Sequence, residues 1–284
     1  MKTTSLVLAG AVLIPAAVAF ADHHGKSVGD DVIAAQRAAL AKNTDGAGFG
    51  PQAPRDIESV AGTNTRAFNP APAYTEMNLC NIHFHKNAEH KGPSFSKYAG
   101  NGDGKGFKTG FVYSGQLSDA ELAPTDAQIC PSDHGALASG DTIELHYVHS
   151  TAQIEPGPTL GACLSEAIIN PQLRVETQVY VLVNDGNGED FMSLTEHGVK
   201  NGYHQALNIP TTTGEPVQYD GSTTGPSYNE AGSPLQVSWS VRPEVMKVNI
   251  DTVGAWCEDN TFDETYAHGV RNLVTNPALL SAIE

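Results

Sequence analysis

The sequence has few basic residues and, beyond its first 21 positions, no long apolar run. Lysine and arginine together number 16, against 32 aspartate and glutamate residues, and the formal net charge is −16. An acidic surface repels phosphate backbones and anionic lipid, so nucleic acid is not an expected partner. No later segment reaches the roughly 18 consecutive apolar residues of a membrane-spanning helix. We therefore expect a soluble chain without membrane insertion.

Cysteine is also scarce, and no two cysteines have the short C-x-x-C spacing of a structural zinc site. Residues 1–21 contain a charged start at Lys2, an apolar run up to Phe20 and a small-x-small ending at Ala19 and Ala21. This pattern predicts a signal peptide and export to the periplasm or the medium. An even number of cysteines in such a compartment predicts two disulfides, for which three pairings exist. The four cysteines are Cys80, Cys130, Cys163 and Cys257.

The rest of the chain indicates one mainly β domain with helical additions. Asp30 and Asp31 precede an apolar helical segment, and a Gly/Pro-rich stretch follows, so residues 22–72 are predicted to form an N-terminal helix and loops. From residue 73 to 284 the sequence consists of short β-patterned runs joined by turn residues. The predicted strands are Met77 to Lys86, Gly110 to Tyr113, Thr142 to His149, Val175 to Val183, Leu235 to Val241 and Met246 to Ile250.

Three histidines are the strongest chemical signal in the sequence. His83 and His85 alternate in a predicted strand and therefore face the same side. His146 lies in a second predicted strand, on one face with Glu144 and Val148. Three imidazoles from neighbouring strands would leave the fourth tetrahedral position of Zn²⁺ open, as in catalytic zinc sites. We therefore predict a zinc site made by these three side chains.

A residue two positions upstream of a ligand on each strand can fix the ligand's orientation. Metal-bound histidines usually donate their second N–H group to an acceptor nearby. Asn81 shares a strand face with His83, and Glu144 shares one with His146. We predict that these two side chains are the acceptors.

These segments resemble a known enzyme family. Asn81-Ile82-His83-Phe84-His85, Ala88-Glu89-His90 and Glu144-Leu145-His146-Tyr147-Val148-His149 follow the order of the zinc-binding core of alpha carbonic anhydrases. In that core a glutamine and H-F-H are followed by S-E-H and E-L-H-x-V-H. The residues around Asn78-Leu79-Cys80 are more similar to those of the delta-class, alpha-like carbonic anhydrases. The resemblance implies a central, largely antiparallel twisted sheet with short peripheral helices.

The resemblance also implies roles for single residues. It makes His83, His85 and His146 the zinc ligands, with Asn81 replacing the family's glutamine, and Glu144 as the second acceptor. Glu89 matches the buried glutamate that accepts a hydrogen bond from a gatekeeping threonine. Tyr219-Asp220-Gly221-Ser222-Thr223-Thr224 resembles the Y-x-G-S-L-T-T turn, which implies Tyr219 in the hydrogen-bond network and Thr224 as gatekeeper, with Thr223 as the alternative.

The carbon dioxide pocket is implied in the same way. Val148 matches an apolar wall, and Val237 and Trp239 lie in a segment that resembles the P-L-x-x-x-V-x-W strand. This sequence departs from the family there, because residues 226–232 separate the threonines from that strand and the strand's spacing is shortened. The implied reaction is attack of zinc-bound hydroxide on carbon dioxide to give bicarbonate and a proton. The proton acceptor is not identified among His90, His134, His149, His197 and His204.

The sequence also leaves two other functions open. His83, His85 and Glu89 also satisfy the cupin pattern H-x-H-x-x-x-E, in which the glutamate is a ligand, as in a metal-binding protein or dioxygenase. No P-x-G-x-x-H segment precedes His146, which a cupin would require. The second alternative is a catalytically silent, carbonic anhydrase-related binding protein. The sequence leaves the oligomeric state open, a homo-oligomer included.

Overall fold

The computed structural model describes residues 27–223, 228–233 and 235–283. The predicted signal peptide lies outside the described residues. Within them the chain forms three α-helices, α1 (Asp30–Thr44), α2 (Phe191–Leu194) and α3 (Ile250–Glu258). The strands are β1 (Asn78–Lys86), β2 (Lys97–Tyr98), β3 (Phe111–Val112), β4 (Thr142–Ser150), β5 (Leu173–Val183), β6 (His197–Lys200), β7 (Tyr203–Ala206), β8 (Val217–Ser222) and β9 (Gln236–Asn249). Short 3₁₀ turns occur at Tyr74–Glu76, Leu160–Cys163 and Pro277–Leu279.

A five-stranded sheet organises the domain, in the order β1-β4-β5-β9-β8. Three of its strand pairs are antiparallel, and β5 and β9 are parallel. The predicted mainly β, largely antiparallel fold is confirmed, and the one parallel pair makes the sheet mixed. Parallel neighbours need a long crossover, and here that crossover contains α2, β6, β7 and β8.

β9 is longer than the sequence predicts, because two predicted strands are one continuous strand. The two predicted strands leave residues 242–245 between them, a segment that contains Pro243. In the structure the pairing with β5 is irregular at this point, between Thr177 and Val179. Proline has no N–H group to donate to a ladder, so it is tolerated at an irregularity of this kind. The segment from Tyr219 that resembles the family's turn is also partly strand, because residues 219–222 belong to β8.

The two faces of the sheet are buried against different partners. On one face Leu145 and Tyr147 of β4 join a cluster that includes Trp256 of α3, which packs against the ring of Phe84. α3 begins at Ile250, where the side chain of Asn249 accepts a hydrogen bond from the backbone of Asp251. On the other face Val148 joins a second apolar cluster of β5, β8 and β9 residues. Strand alternation places Glu144 and His146 on this second face.

Two disulfides link loops to the regular elements, and no described cysteine is free. Cys80 is bonded to Cys163, and Cys130 to Cys257. The prediction of two bridges is confirmed, and the structure selects one of the three pairings. Disulfides of this kind are typical of an oxidising compartment.

The predicted boundary near residue 72 stays a prediction. Helix α1 is hydrogen-bonded to the segment after this boundary through Gln36, which donates to the carbonyl of Gly104 and accepts from Asn272. Among the helices of the described chain, none has the length and apolarity needed to cross a membrane.

Candidate metal centre

The pairing of β1 with β4 brings the three predicted ligands together. His83 lies directly opposite His146 in the ladder, and His85 lies two residues further on the same strand. The nearest ring nitrogens of the three side chains all lie within 4.8 Å of one another. His83 and His85 alternate on β1 and therefore face the same side of the sheet, and the third imidazole comes from the neighbouring strand.

The first histidine is oriented by an amide on its own strand. Asn81 Oδ1 lies 2.6 Å from His83 Nδ1, and Asn81 Nδ2 donates to the carbonyl oxygen of Gly157 at 3.1 Å. This arrangement places the proton of the neutral ring on Nδ1 and leaves Nε2 with its lone pair free. Asn81 thus lies between His83 and the carbonyl of Gly157.

The second histidine is oriented by a backbone carbonyl that the sequence analysis missed. His85 Nδ1 lies 2.8 Å from the carbonyl oxygen of Gly269. The contact joins residues 184 positions apart, and a backbone acceptor has no sequence signature. His85 Nε2 is buried and has no hydrogen-bond partner among the described residues. A buried nitrogen without a partner fits a metal ligand where other donor atoms converge with it, as those of His83 and His146 do here.

The third histidine faces the other two with Nδ1, whereas its Nε2 is bound to a carboxylate. His146 Nε2 lies 2.7 Å from Glu144 Oε1, and His146 Nδ1 lies 3.2 Å from His83 Nε2. The nitrogens available to a cation are therefore Nε2 of residues 83 and 85 and Nδ1 of residue 146. Three imidazoles with their second nitrogens bonded to acceptors are a donor set that fits zinc well.

Burial keeps all three rings neutral. Burial, and then the charges of His146 and His85, hold the pKa of His83 well below its usual value. Burial lowers the pKa of His85 to about 4, and it also lowers the pKa of His146. Because only a neutral imidazole has a lone pair to donate, these shifts prepare the site for a metal at neutral pH.

Glu144 is part of a buried network behind the ligands. Burial by itself would raise the pKa of this carboxyl, but the adjacent His90 and the hydrogen bonds from His146 and His90 lower it. His90 Nδ1 lies 2.8 Å from Glu144 Oε1, and His90 Nε2 lies 2.5 Å from the hydroxyl of Tyr219. Tyr219 is thus linked to Glu144 through His90. His90, offered as a proton acceptor, is fully buried and has both ring nitrogens engaged.

Above the ligands lies a cavity of about 30 Å³, which has room for one or two molecules the size of water. Of the three residues expected in the carbon dioxide pocket, Val148 and Trp239 line this cavity, whereas Val237 is buried on β9 and is not among the lining residues. Val175 lines it too, because it is paired with Val148 across β4 and β5. The remaining lining residues are Ala53, His83, His85, Glu89, His146, Leu160, Ser222, Thr223 and Arg271.

The threonine segment is described only in part. Thr224, the implied gatekeeper, lies outside the described residues. Thr223 lines the cavity, and its hydroxyl lies 3.0 Å from the hydroxyl of Ser233. Arg271 donates to the carbonyl oxygen of Thr223 at 2.8 Å. Burial raises the pKa of Glu89, which also lines the cavity.

The ligand set of a cupin is not what the described residues assemble. Glu89 Oε1 is 4.0 Å from His146 Nε2, the nitrogen that faces Glu144. Within the described segments, the group that converges with His83 and His85 contains His146 and no carboxylate. Glu89 falls instead in a second group with His90, Glu144 and His146.

The other candidate proton acceptors lie apart from the three ligands. His149 is buried beside Tyr74, His134 stacks on Phe107, His197 contacts Thr261, and His204 lies 3.5 Å from Glu155. A histidine that the sequence analysis missed is closer. The ring of His268 lies 5.8 Å from that of His83 and 5.9 Å from that of His85. Its side chain is 45% exposed, and its Nε2 lies 2.6 Å from Glu264.

Comparison with known proteins identifies the family. The model of the delta carbonic anhydrase family matches residues 74–252, well over half of the chain. A search of curated proteins finds no match. Among solved structures, an alpha-carbonic anhydrase from Thermovibrio ammonificans, in complex with the inhibitor sulfanilamide, is 14% identical and has a TM-score of 0.24; the match covers 77% of this chain and 83% of that one. The Photobacterium profundum alpha-carbonic anhydrase is 15% identical, with a TM-score of 0.27 and coverages of 79% and 85%. On the family match, this chain belongs to the delta carbonic anhydrase family.

Proposed function

We propose that this protein catalyses the reversible hydration of carbon dioxide to bicarbonate, with Zn²⁺ held by His83, His85 and His146. Membership of a carbonic anhydrase family supports the reaction class. The observation that carries the metal assignment is the convergence of three ring nitrogens within 4.8 Å, one of them buried without a partner. Zinc bound by three histidines keeps one position for solvent and lowers the pKa of that water to about 7.

The residues around the ligands fix the ligands in place. Asn81, Glu144 and the carbonyl of Gly269 each engage the ring nitrogen that does not face the metal position. Such partners set the tautomer and the angle of the ring, and they raise its basicity. The buried His90 is hydrogen-bonded to Glu144 with one ring nitrogen and to Tyr219 with the other, so Glu144 is itself held in place.

The apolar wall of the cavity supports carbon dioxide as the substrate. Val148, Val175 and Trp239 give an apolar surface beside the imidazoles, suited to an uncharged, linear molecule without hydrogen-bond donors. Val237, two residues before Trp239 on the same strand face, supports this wall from the buried side.

Glu89 and the threonine segment would orient the nucleophile. In our proposal Glu89 accepts a hydrogen bond from Thr224, with Thr223 as the alternative, so that the attacking oxygen points its lone pair at the substrate carbon. The support is the burial of Glu89 in the cavity wall and the approach of Thr223 to the same cavity. Positioning of this kind lowers the entropic cost of reaction.

We also propose that the protein is exported to the periplasm or the medium. The support is the pair of disulfides, which persist in oxidising compartments, together with the signal-peptide pattern in residues 1–21. There the enzyme would interconvert carbon dioxide and bicarbonate outside the cytoplasm.

The test is stopped-flow measurement of carbon dioxide hydration by the zinc-loaded protein, by the chelator-treated protein and by treated protein after zinc is restored. We expect catalysis in the first sample, its loss in the second and its return in the third. Rates equal to the uncatalysed reaction in all three samples, with zinc bound in the first, would instead favour the silent binding protein.

A further inference from the structure

The disulfide between Cys80 and Cys163 lies against the metal centre, whereas the second disulfide does not. Cys80 immediately precedes Asn81, the residue that orients His83. Cys163 closes a loop that follows β4, residues 151–164, which we call the wall loop. Within the wall loop, Leu160 lines the cavity.

The wall loop is joined to β1 by hydrogen bonds of one glycine as well as by the disulfide. The backbone N–H of Gly157 donates to the carbonyl of Cys80 at 3.0 Å, and its own carbonyl accepts from Asn81 Nδ2 at 3.1 Å. Cys80, Asn81 and Cys163 have no exposed surface. Gly157 thus contacts the two consecutive β1 residues that lead to His83.

The carbonyl of Gly157 decides which end of the Asn81 amide faces the histidine. A carbonyl can only accept, so it takes the NH₂ end of the amide and turns the oxygen towards His83 Nδ1. His83 must then carry its proton on Nδ1, and Nε2 is free to bind a metal. With the amide reversed, the NH₂ group would face Nδ1, the ring proton would move to Nε2, and the metal-binding nitrogen would be blocked.

We propose that the Cys80–Cys163 disulfide is a positioning element for the metal site: it holds the wall loop so that Gly157 fixes the Asn81 amide and, through it, the metal-binding tautomer of His83. This inference rests on the proposed zinc site. The wall loop has one 3₁₀ turn, Leu160–Cys163, as its regular structure, so few backbone bonds of its own restrain it. A covalent link to β1 removes much of the freedom that such a loop otherwise has.

The far end of the loop is held to the strand of the third ligand. Ser150, the last residue of β4, donates from its hydroxyl to the carbonyl of Cys163 at 2.7 Å and accepts from the backbone of Ala152 at 3.1 Å. Both ligand strands are therefore bound to the wall loop. The Cys80–Cys163 disulfide therefore holds a loop that contacts the partner of His83 and also contributes Leu160 to the cavity wall.

The second disulfide is a matched control within the same chain. Cys130 and Cys257 join a loop to α3, in the apolar cluster on the opposite face of the sheet. They are 127 residues apart in sequence, against 83 for Cys80 and Cys163. Because the entropic effect of a crosslink grows with the length of the closed loop, loss of the control disulfide should destabilise the fold at least as much.

The experiment compares C80S/C163S with C130S/C257S, each loaded with zinc, by the rate at which zinc is lost to an excess of chelator. We expect zinc loss to be about 10-fold faster in C80S/C163S, at the lower end of the effects seen when partners of metal ligands are removed. We expect C130S/C257S to stay within about two-fold of the wild type, since it touches no partner of the ligands. Equal acceleration in both variants would overturn the proposal.

A second arm shows whether the disulfide acts through the amide. In an N81A background there is no amide to orient, so adding C80S/C163S should accelerate zinc loss little further, whereas independent effects would multiply. Full multiplication would overturn the proposal. If C80S/C163S does not fold, the folded wild type is partially reduced, the reduced pair is identified by alkylation, and the same rates are compared. A wild type that binds no zinc would refute the proposed function itself, not this inference alone.

Discussion

Strand β4 carries two buried histidines on opposite faces, and only one of them belongs to a metal site. His146 has Glu144 on one nitrogen and faces His83 with the other. His149 has Nδ1 3.1 Å from the carbonyl of Tyr147, and its Nε2 is buried with no partner among the described residues. Burial lowers the pKa of both, that of His149 to about 3. Burial and a low pKa therefore do not distinguish a ligand; convergence with the nitrogens of two other histidines does.

The sharpest way to break this comparison is to remove each histidine in turn. H146A takes away one of three ligands, so bound zinc should fall to about a third of the wild-type content or less, with nearly all activity lost. H149Q should keep both the bound zinc and the activity, because the side chain of residue 149 faces away from the cavity. Zinc content by atomic emission and stopped-flow hydration rates measure the two outcomes. Full zinc retention by H146A would show that the ligand set is wrong.

The next largest effect concerns Glu89 on the cavity side. E89Q should keep zinc and lose about 10²-fold in turnover, since it disturbs orientation of the nucleophile and not the ligands. Zinc content and hydration rate are measured on the same sample. Loss of the metal in E89Q would point to a carboxylate ligand, as in the cupin alternative.

A smaller effect is expected from the carboxylate behind His146. E144A should weaken zinc binding by about 10- to 100-fold, because it removes the acceptor that fixes the ring of His146. E176Q is the matched control: Glu176 is a buried carboxyl on the neighbouring strand β5, and burial raises its pKa. Competition with a chelator of known affinity measures both variants. An unchanged affinity in E144A, or an equal loss in E176Q, would contradict the role given to Glu144.

The smallest expected effect is the pH dependence of stability contributed by His149. Its pKa is about 3 in the folded protein and close to the ordinary 6.5 when unfolded, so the unfolded chain binds the extra proton between these values. The stabilising contribution is therefore complete above pH 6.5 and is lost as the pH falls towards 3. H149Q should show a flatter decline of unfolding free energy over this window, by a few kcal/mol at most. Parallel curves for wild type and H149Q in urea denaturation would contradict this assignment.

The local features of the site could be predicted from sequence, and its long-range contacts could not. His83 and His85 follow from strand alternation, and Asn81 and Glu144 follow from their positions two residues upstream. By contrast, Gly269 and Gly157 act through backbone groups, which any residue type provides. Their positions depend on which loop returns to the sheet, and that is set by the tertiary fold.

The same limit applies to the strands and the pocket. The gap between the two predicted strands, residues 242–245, contains Pro243, whose missing N–H group is harmless where the pairing with β5 is irregular. Val175 could not be assigned to the cavity from sequence, because its contact with Val148 depends on the register of two strands. The pairing of the four cysteines was undetermined for the same reason.

The most direct test of the central claim is a crystal structure of the zinc-loaded protein, with anomalous differences measured on both sides of the zinc absorption edge. We predict one strong peak at about 2.0–2.1 Å from three ring nitrogens, Nε2 of His83, Nε2 of His85 and Nδ1 of His146, and from no carboxylate. A peak bonded to Glu89, or a zinc-loaded structure in which these three rings diverge, would contradict the account.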